Sequence, residues 1–246
     1  MKVLVFIKRT PDTAAVVKPT PDGKDIVRDG LAFIINPYDE FAVQEAVNLQ
    51  KSKGAETVVM TVGDDASVEQ LRRALAMGID RAILVKHDRF WELNPSQVGY
   101  AIAEIARREK PDIILMGKVT IDDYTYALPG YVAQALGYNL LTYAVKLEYG
   151  DGSVKGERES DLGKETWEVP YPIVISAERG LNEPQIPTVM GIMKAKRKPL
   201  ETVDLELPSY EYEIVELTPP PPRKGVKLLQ SVDELIKVLK EEVKIL

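Results

Sequence analysis

Between an apolar run and a helical pattern, the segment Gly117-Lys118-Val119-Thr120-Ile121-Asp122-Asp123-Tyr124-Thr125 gathers a lysine, two hydroxyls and a carboxylate pair. Free backbone N–H groups at a helix origin hold a phosphate without help from a lysine. Thr120 and Thr125 add hydroxyl donors. Asp122 and Asp123 suit two roles: an N-cap with a first-turn acid, favourable with the helix dipole, or contact with a ligand. No further ligands stand near them for a metal site. A second junction, Ile35-Asn36-Pro37-Tyr38-Asp39-Glu40, also has two readings. Asn36 and Pro37 suit simple helix initiation at N-cap and N1, or an amide and backbone set against a base. The basic run Lys194, Lys196, Arg197 and Lys198 is either a solvated helix end or a patch that steers an acidic partner.

Composition removes whole classes of chemistry. The 246 residues include no cysteine and one histidine, His87. Disulfides, thiolate zinc, cysteine-ligated iron–sulfur clusters and cysteine nucleophiles are excluded. A Ser-His-Asp site would need His87, which reads as a solvated loop residue in the polar stretch Lys86–Arg89. The net charge of −6 argues against general nucleic-acid binding, which needs a basic face. No stretch approaches the roughly 20 apolar residues of a membrane span, and the opening apolar run is too short for a signal peptide. A cytoplasmic protein without membrane insertion is expected.

The elements around these junctions follow from hydrophobic period. Val3–Ile7, Thr57–Val62, Arg81–Val85 and Asp112–Met116 are short continuous apolar runs, as in strands covered on both faces. Helical stripes are predicted over Pro37–Lys51, Asp64–Met77, a stretch after Pro95 carrying Val98, Ala101, Ile102, Ile105 and Ala106, and Thr125–Leu136. This alternation predicts an α/β fold with a parallel sheet and right-handed crossovers. After Asn139, three turn-separated runs predict antiparallel hairpin strands, and Pro172–Ala177 a last strand. The expected division is an α/β domain over 1–200 and an extended arm over 201–246. The arm carries four prolines at 219–222, a stiff spacer, and a terminal amphipathic helix striped by Val232, Leu235, Ile236, Leu239 and Val243.

Ligands of open parallel sheets sit beyond the carboxyl ends of the strands. Here those ends are Lys8-Arg9, Val62-Gly63-Asp64 and Gly117-Lys118. The usual fingerprints are missing. There is no G-x-G-x-x-G. A P-loop would need glycine at Asp112 and a hydroxyl at Val119.

The stretch Leu181–Lys198, "LNEPQIPTVMGIMKAKRK", is similar to the signature of the electron transfer flavoprotein beta subunit. The similarity continues through "VLVFIKRTPD", "INPYDE", "RRALAMGIDRAIL", "GKVTIDD" and "GVKLLQSVDELIKVLK". It implies an adenine nucleotide alpha-hydrolase-like (Rossmann-like) three-layer α/β sandwich with a parallel sheet, a β-hairpin insertion and a C-terminal arm. It also implies a heterodimer with an alpha subunit, FAD shared with that subunit, and electron shuttling from dehydrogenases to an acceptor such as a quinone reductase. The beta site of the family holds AMP or, in bifurcating members, a second FAD. By position, Phe6 and Val62 would line the adenine, and Asn36, Pro37, Tyr38 and Asp39 would close over base and ribose. Asp123, Tyr124 and Thr125 would take the phosphates. Leu181 would be the partner-docking leucine; the alternative is that it packs on its own domain.

Tyr124–Gly130 departs from both family types. Asp123 favours the AMP type and Pro11-Asp12-Thr13 the bifurcating type. A rival from another class is a stand-alone adenine-nucleotide sensor of the universal-stress type. An ATP-pyrophosphatase-like ligase would need a Gly/Ser-rich loop after the first strand, which is missing.

Overall fold

The first strand sends alternate side chains into two different cores. In a computed structural model describing residues 1–209, 213–222 and 225–246, β1 (Lys2–Phe6) is buried along Val3–Phe6. Val3, Val5 and Ile7 join one apolar cluster with helices α1 (Pro37–Lys53) and α2 (Val68–Met77). Leu4 and Phe6 join the other with α3 (Pro95–Glu109) and α4 (Leu128–Leu136). The period of two in a strand thus makes three layers from one sheet.

The remaining strands are β2 (Arg9–Pro11), β3 (Phe33–Ile35), β4 (Glu56–Gly63), β5 (Arg81–Lys86), β6 (Ile113–Gly117), β7 (Asn139–Tyr149), β8 (Ser153–Ser160), β9 (Gly163–Pro170), β10 (Ile173–Ala177) and β11 (Leu200–Asp204). The nine-stranded sheet has the order β11-β5-β4-β1-β6-β10-β7-β8-β9. Neighbours from β11 to β7 are parallel; β8 and β9 extend the sheet antiparallel. In register, Leu4 lies between Val58 of β4 and Ile114 of β6. The order turns back at β1, so the crevice at its carboxyl end is the switch point.

Local chemistry sets the helix bounds. Pro37 stands in the first turn of α1, and Gly54 ends that helix at φ 64, a conformation glycine adopts without strain. A capping box starts α3: Asn94 Oδ1 accepts from the N–H groups of Ser96 and Gln97, and Gln97 Oε1 from that of Asn94. The predicted helix after Asp64 opens with a tight 3-10 turn, Asp65–Ser67, before α2. The helix predicted from Thr125 begins only at Leu128, because Tyr124 and Tyr126 take positive φ values of 51 and 57 that no helix accommodates.

Three strands were not evident from periodicity. β2 and β3 have three residues each and pair only with one another. β11 falls within the stretch read as arm, yet Leu200–Asp204 pairs in register with Ala82–Lys86. Its edge position leaves Glu201, Thr202 and Asp204 exposed, and its acids obscure the pattern. The polar link before it is well tied. Lys198 Nζ donates to the α2 carboxyl-end carbonyls of Leu75 (3.1 Å), Gly78 (2.9 Å) and Ile79. Arg72 donates to the carbonyls of Ala195 and Lys198. Lys198 therefore caps a helix and is not part of a free basic patch.

The chain forms two units, Met1–Val17 with Arg28–Tyr212, and Lys18–Val27 with Glu213–Leu246. In the second, Pro19 and Ile26 form an antiparallel bridge. Leu217 N donates to Gly23 O at 2.8 Å, and Lys24 Nζ meets Glu213 and the carbonyl of Ile214. The four prolines lie outside helix and strand. Ser231 caps α6 (Val232–Val238) by accepting from Glu234 N, and wider π-type turns continue it over Leu239–Val243. The parts of the expected arm at 210–212 and 223–224 lie outside the described residues. Among described residues no helix is long and apolar enough to cross a membrane.

Replacing Lys198 by methionine keeps the stem and removes the charged donor from three carbonyls. The expected cost is about 1–2 kcal/mol, read as a lower urea midpoint with an unchanged slope.

Candidate functional site

At the switch point, the first turn of α1 ties two strand ends together. Asp39 is buried. Its Oδ2 accepts from the N–H of Lys8, just past β1, and its Oδ1 from that of Gly117 at the end of β6, both at 2.8 Å. Gly117 has to be glycine: a Cβ there would lie 2.5 Å from Asp39 Oδ1 and 2.7 Å from Tyr38 Cβ. Asn36 occupies the N-cap position but makes no side-chain cap. Its amide reaches across instead, donating to Val119 O (2.9 Å) and accepting from Ile121 N (3.2 Å). The Ile35–Glu40 junction therefore fastens α1 to the loops after β1 and β6 as well as starting a helix.

This clamp walls one side of a cleft of about 580 Å³, counting the part open to solvent. Phe6, Val62 and Met116 come from β1, β4 and β6. Phe90, Leu93 and Val98 come from the approach to α3 and its first turns. Tyr126, Leu128 and Pro129 form a lip, and Lys8, Thr120, Asp123 and Thr125 a polar end. Apolar walls with a few convergent polar groups suit a small organic ligand. Of the residues singled out in the sequence, Phe6, Asp39, Val62, Asp123 and Thr125 line the cleft; Asn36, Pro37, Tyr38 and Tyr124 are not among its walls. Tyr38 instead lies under the Lys118 ammonium, 5.0 Å from its ring centre. Tyr124 is largely exposed and meets Tyr126 edge-on at 6.4 Å. Phe90, Leu93 and Leu128 carry no local signal; only the crossover from β5 to α3 brings the first two here, beside Val98 of the predicted helical stripe.

The polar end is organised around Lys8. Its ammonium contacts Asp122 (2.9 Å), Asp123 (3.1 Å) and Thr120 Oγ1 (3.5 Å). Burial works against its charge, but the two carboxylates outweigh burial and hold Lys8 above the ordinary lysine value. Burial likewise raises Asp123, and Lys8 with the Thr125 N–H outweighs it to leave the carboxyl below its usual range. Asp123 Oδ1 accepts from both the N–H (3.0 Å) and the hydroxyl (3.2 Å) of Thr125. The acid pair thus does not cap α4. That helix has Ala127 at its cap, without a side-chain bond, and a proline in its first turn. Lys118, next along, is paired with Glu178.

The Leu181–Lys198 segment is anchored on the middle of α1. Asn182 Nδ2 donates to Phe41 O (3.0 Å) and Glu45 Oε2 (2.9 Å); Tyr149 donates to Glu45 Oε1 (3.0 Å), and Gln185 N to Gln44 Oε1 (2.9 Å). Leu181 is half-buried against the core. The apolar side chains that face solvent come later: Ile186 at 85%, Met190 at 66% and Met193 at 65% exposure, with Val189 beside them. Of the basic run only Lys194 lies on α5 (Val189–Ala195).

Burial pushes the Asp39 carboxyl up to about 7, against its two N–H donors. Between pH 4 and 7 the folded chain therefore binds a proton that the unfolded chain does not, and this group's contribution to stability falls as pH rises. Asp39→Asn cannot titrate and offers one oxygen to two donors. The variant should be less stable at pH 5, with the gap to the parent narrowing by on the order of 1–3 kcal/mol by pH 8. Urea unfolding of both proteins at the two pH values checks this; a constant gap would be the contrary result.

Comparison with known proteins agrees with the segments quoted from the sequence. The family described as "Electron transfer flavoprotein domain" matches residues 24–208. The mitochondrial electron transfer flavoprotein subunit beta of Oryza sativa subsp. japonica is 38% identical over 254 residues, covering 100% of both chains. That of Syntrophomonas wolfei is 40% identical over 93% of this chain and 90% of its own. The Homo sapiens subunit is 34% identical over 98% and 97%. With the sheet order, the three layers and these full-length likenesses together, the chain belongs to the electron transfer flavoprotein beta-subunit family.

Proposed function

We propose that this chain is the beta half of a cytoplasmic, two-subunit electron carrier. With an alpha subunit it would form a heterodimer sharing one FAD, taking electrons from dehydrogenases and passing them to an acceptor such as a quinone reductase. The single observation that carries this reading is end-to-end likeness to proteins named as beta subunits, 38% over the whole of both chains in one case. FAD, when bound, supplies the redox chemistry; this chain's part is to shape the surroundings and meet partners.

Two surfaces support that part. The segment held by Asn182 and Gln185 presents Ile186, Val189, Met190 and Met193 to solvent, with exposed Lys194, Lys196 and Arg197 following. Apolar side chains rimmed by cations suit an electron-donor protein with an acidic rim. Leu181, half-buried at the start of this segment, is the proposed partner-docking residue. The second surface is the cleft. For the AMP or second FAD that the family resemblance implies, Phe6 and Val62 offer apolar walls to the base, and Asp39 an acceptor beside it. The phosphate end does not fit. Lys8 and Thr125 are both engaged by the chain's own carboxylates.

Purification together with the alpha subunit encoded by the same organism tests the carrier reading. The complex should show a visible flavin band and release FAD on denaturation. A stable complex with no flavin, or a beta chain that ignores the alpha subunit, would refute the reading.

A further inference from the structure

We infer that the cleft takes an uncharged, hydrogen-bond-donating heteroaromatic ligand of the nucleoside kind, and rejects the same ligand carrying a 5′-phosphate. The inference rests on the cleft alone and goes beyond the carrier reading.

The walls point to a flat ring. Phe6, Val62, Phe90 and Met116 are all buried and face one cleft. A ring laid against these walls loses water from the face that meets them, and its polar edge must find partners there.

The partners on offer are acceptors. Asp39 and Asp123 both line the cleft. Ring amino groups and sugar hydroxyls donate to such oxygens; a phosphate has only acceptors to offer. The donors a phosphate would require are already held. Lys8 Nζ lies 2.9 Å from Asp122 and 3.1 Å from Asp123. Thr125 gives both its N–H and its hydroxyl to Asp123 Oδ1. Lys118 is paired with Glu178. An entering phosphate would have to take Lys8 from two carboxylates and then remain beside both of them.

The helix origin does not make up the deficit. An anion site at a helix start draws on free N–H groups and often on a capping hydroxyl. Here Ala127 stands at the cap, and Pro129 in the first turn has no N–H. Leu128 and Pro129 face the cleft as apolar lip. Phosphate binding, expected from the sequence at this helix origin, is thus opposed on three counts: donors engaged, carboxylates adjacent and a donor missing.

Isothermal titration of the full chain with adenosine and with AMP, in one buffer, tests the inference. Adenosine should bind at least tenfold more tightly than AMP, and added salt should narrow the gap. Asp122→Asn/Asp123→Asn removes both charges with little change of shape. It should strengthen AMP binding at least tenfold. Val62→Trp fills the cleft and should abolish adenosine binding. Parent protein that binds AMP as tightly as adenosine, or binds neither at millimolar concentration, overturns the inference, and so does adenosine binding that survives Val62→Trp. The parent comparison needs no variant, so a variant that fails to fold leaves the test intact. A missing flavin band in the complex with the alpha subunit would defeat the carrier reading and leave this result standing; equal AMP binding would do the reverse.

Discussion

Two oxygens of one carboxyl hold the functional end of this molecule together. Asp39 takes the N–H of Lys8 on one oxygen and that of Gly117 on the other. Lys8 lies past the end of β1 and Gly117 is the last residue of β6, and the amides of both turn to the helix for an acceptor. A buried N–H without an acceptor is costly. The chain meets that requirement from a helix, which fixes the first turn of α1 against both strand ends. Everything at the switch point depends on this arrangement. The absence of a side chain at Gly117 lets α1 approach, Asn36 then reaches Val119 and Ile121, and the loop carrying Asp122 and Asp123 is delivered to Lys8.

The same helix also holds the segment that presents apolar side chains to solvent. Its first turn braces the cleft; within the next two turns Phe41, Gln44 and Glu45 hold the start of the Leu181–Lys198 segment. Tyr149 from the hairpin arm of the sheet closes on Glu45 from the opposite side, and its own hydroxyl is pushed well above the usual tyrosine range by burial and by that carboxylate. Packed helix backbone is stiff. The cleft and the exposed apolar segment are therefore positioned by one rigid element, although more than 100 residues separate Asp39 from Asn182 in the chain.

What was legible in the sequence, and what was not, divides along physical lines. Leu4 and Phe6 on one side of β1, with Val3 and Val5 on the other, announce a strand covered on both faces, and the spacing of Val98, Ala101, Ile102 and Ile105 announces α3. These are signals of period, carried within one element. Phe90 and Leu93 reach the cleft through a crossover, and no spacing rule links them to Phe6. The hydrogen bonds of Asn36 are hidden for a related reason: an asparagine before proline looks like a cap whether or not its amide turns inward. β11 was hidden by exposure, since an edge strand needs only Leu200 and Val203 to be apolar.

The acid pair is the most instructive case. Read locally, Asp122 and Asp123 belong at a helix start, where the dipole favours them. That reading fails because Tyr124 and Tyr126 bend the backbone through positive φ and delay the helix to Leu128. Freed from capping, the two carboxylates meet the lysine that the Asp39 clamp has placed opposite them. An ion pair formed this way is part-buried; the Lys8 side chain is only 15% exposed. Removing one member of such a pair leaves the other charge poorly solvated. A cleft's preference for ligand charge therefore cannot be read from the sum of the charged residues around it. It depends on which of those charges the fold has already matched to one another, and here both lysines lining the cleft are matched, Lys8 to two carboxylates and Lys118 to Glu178.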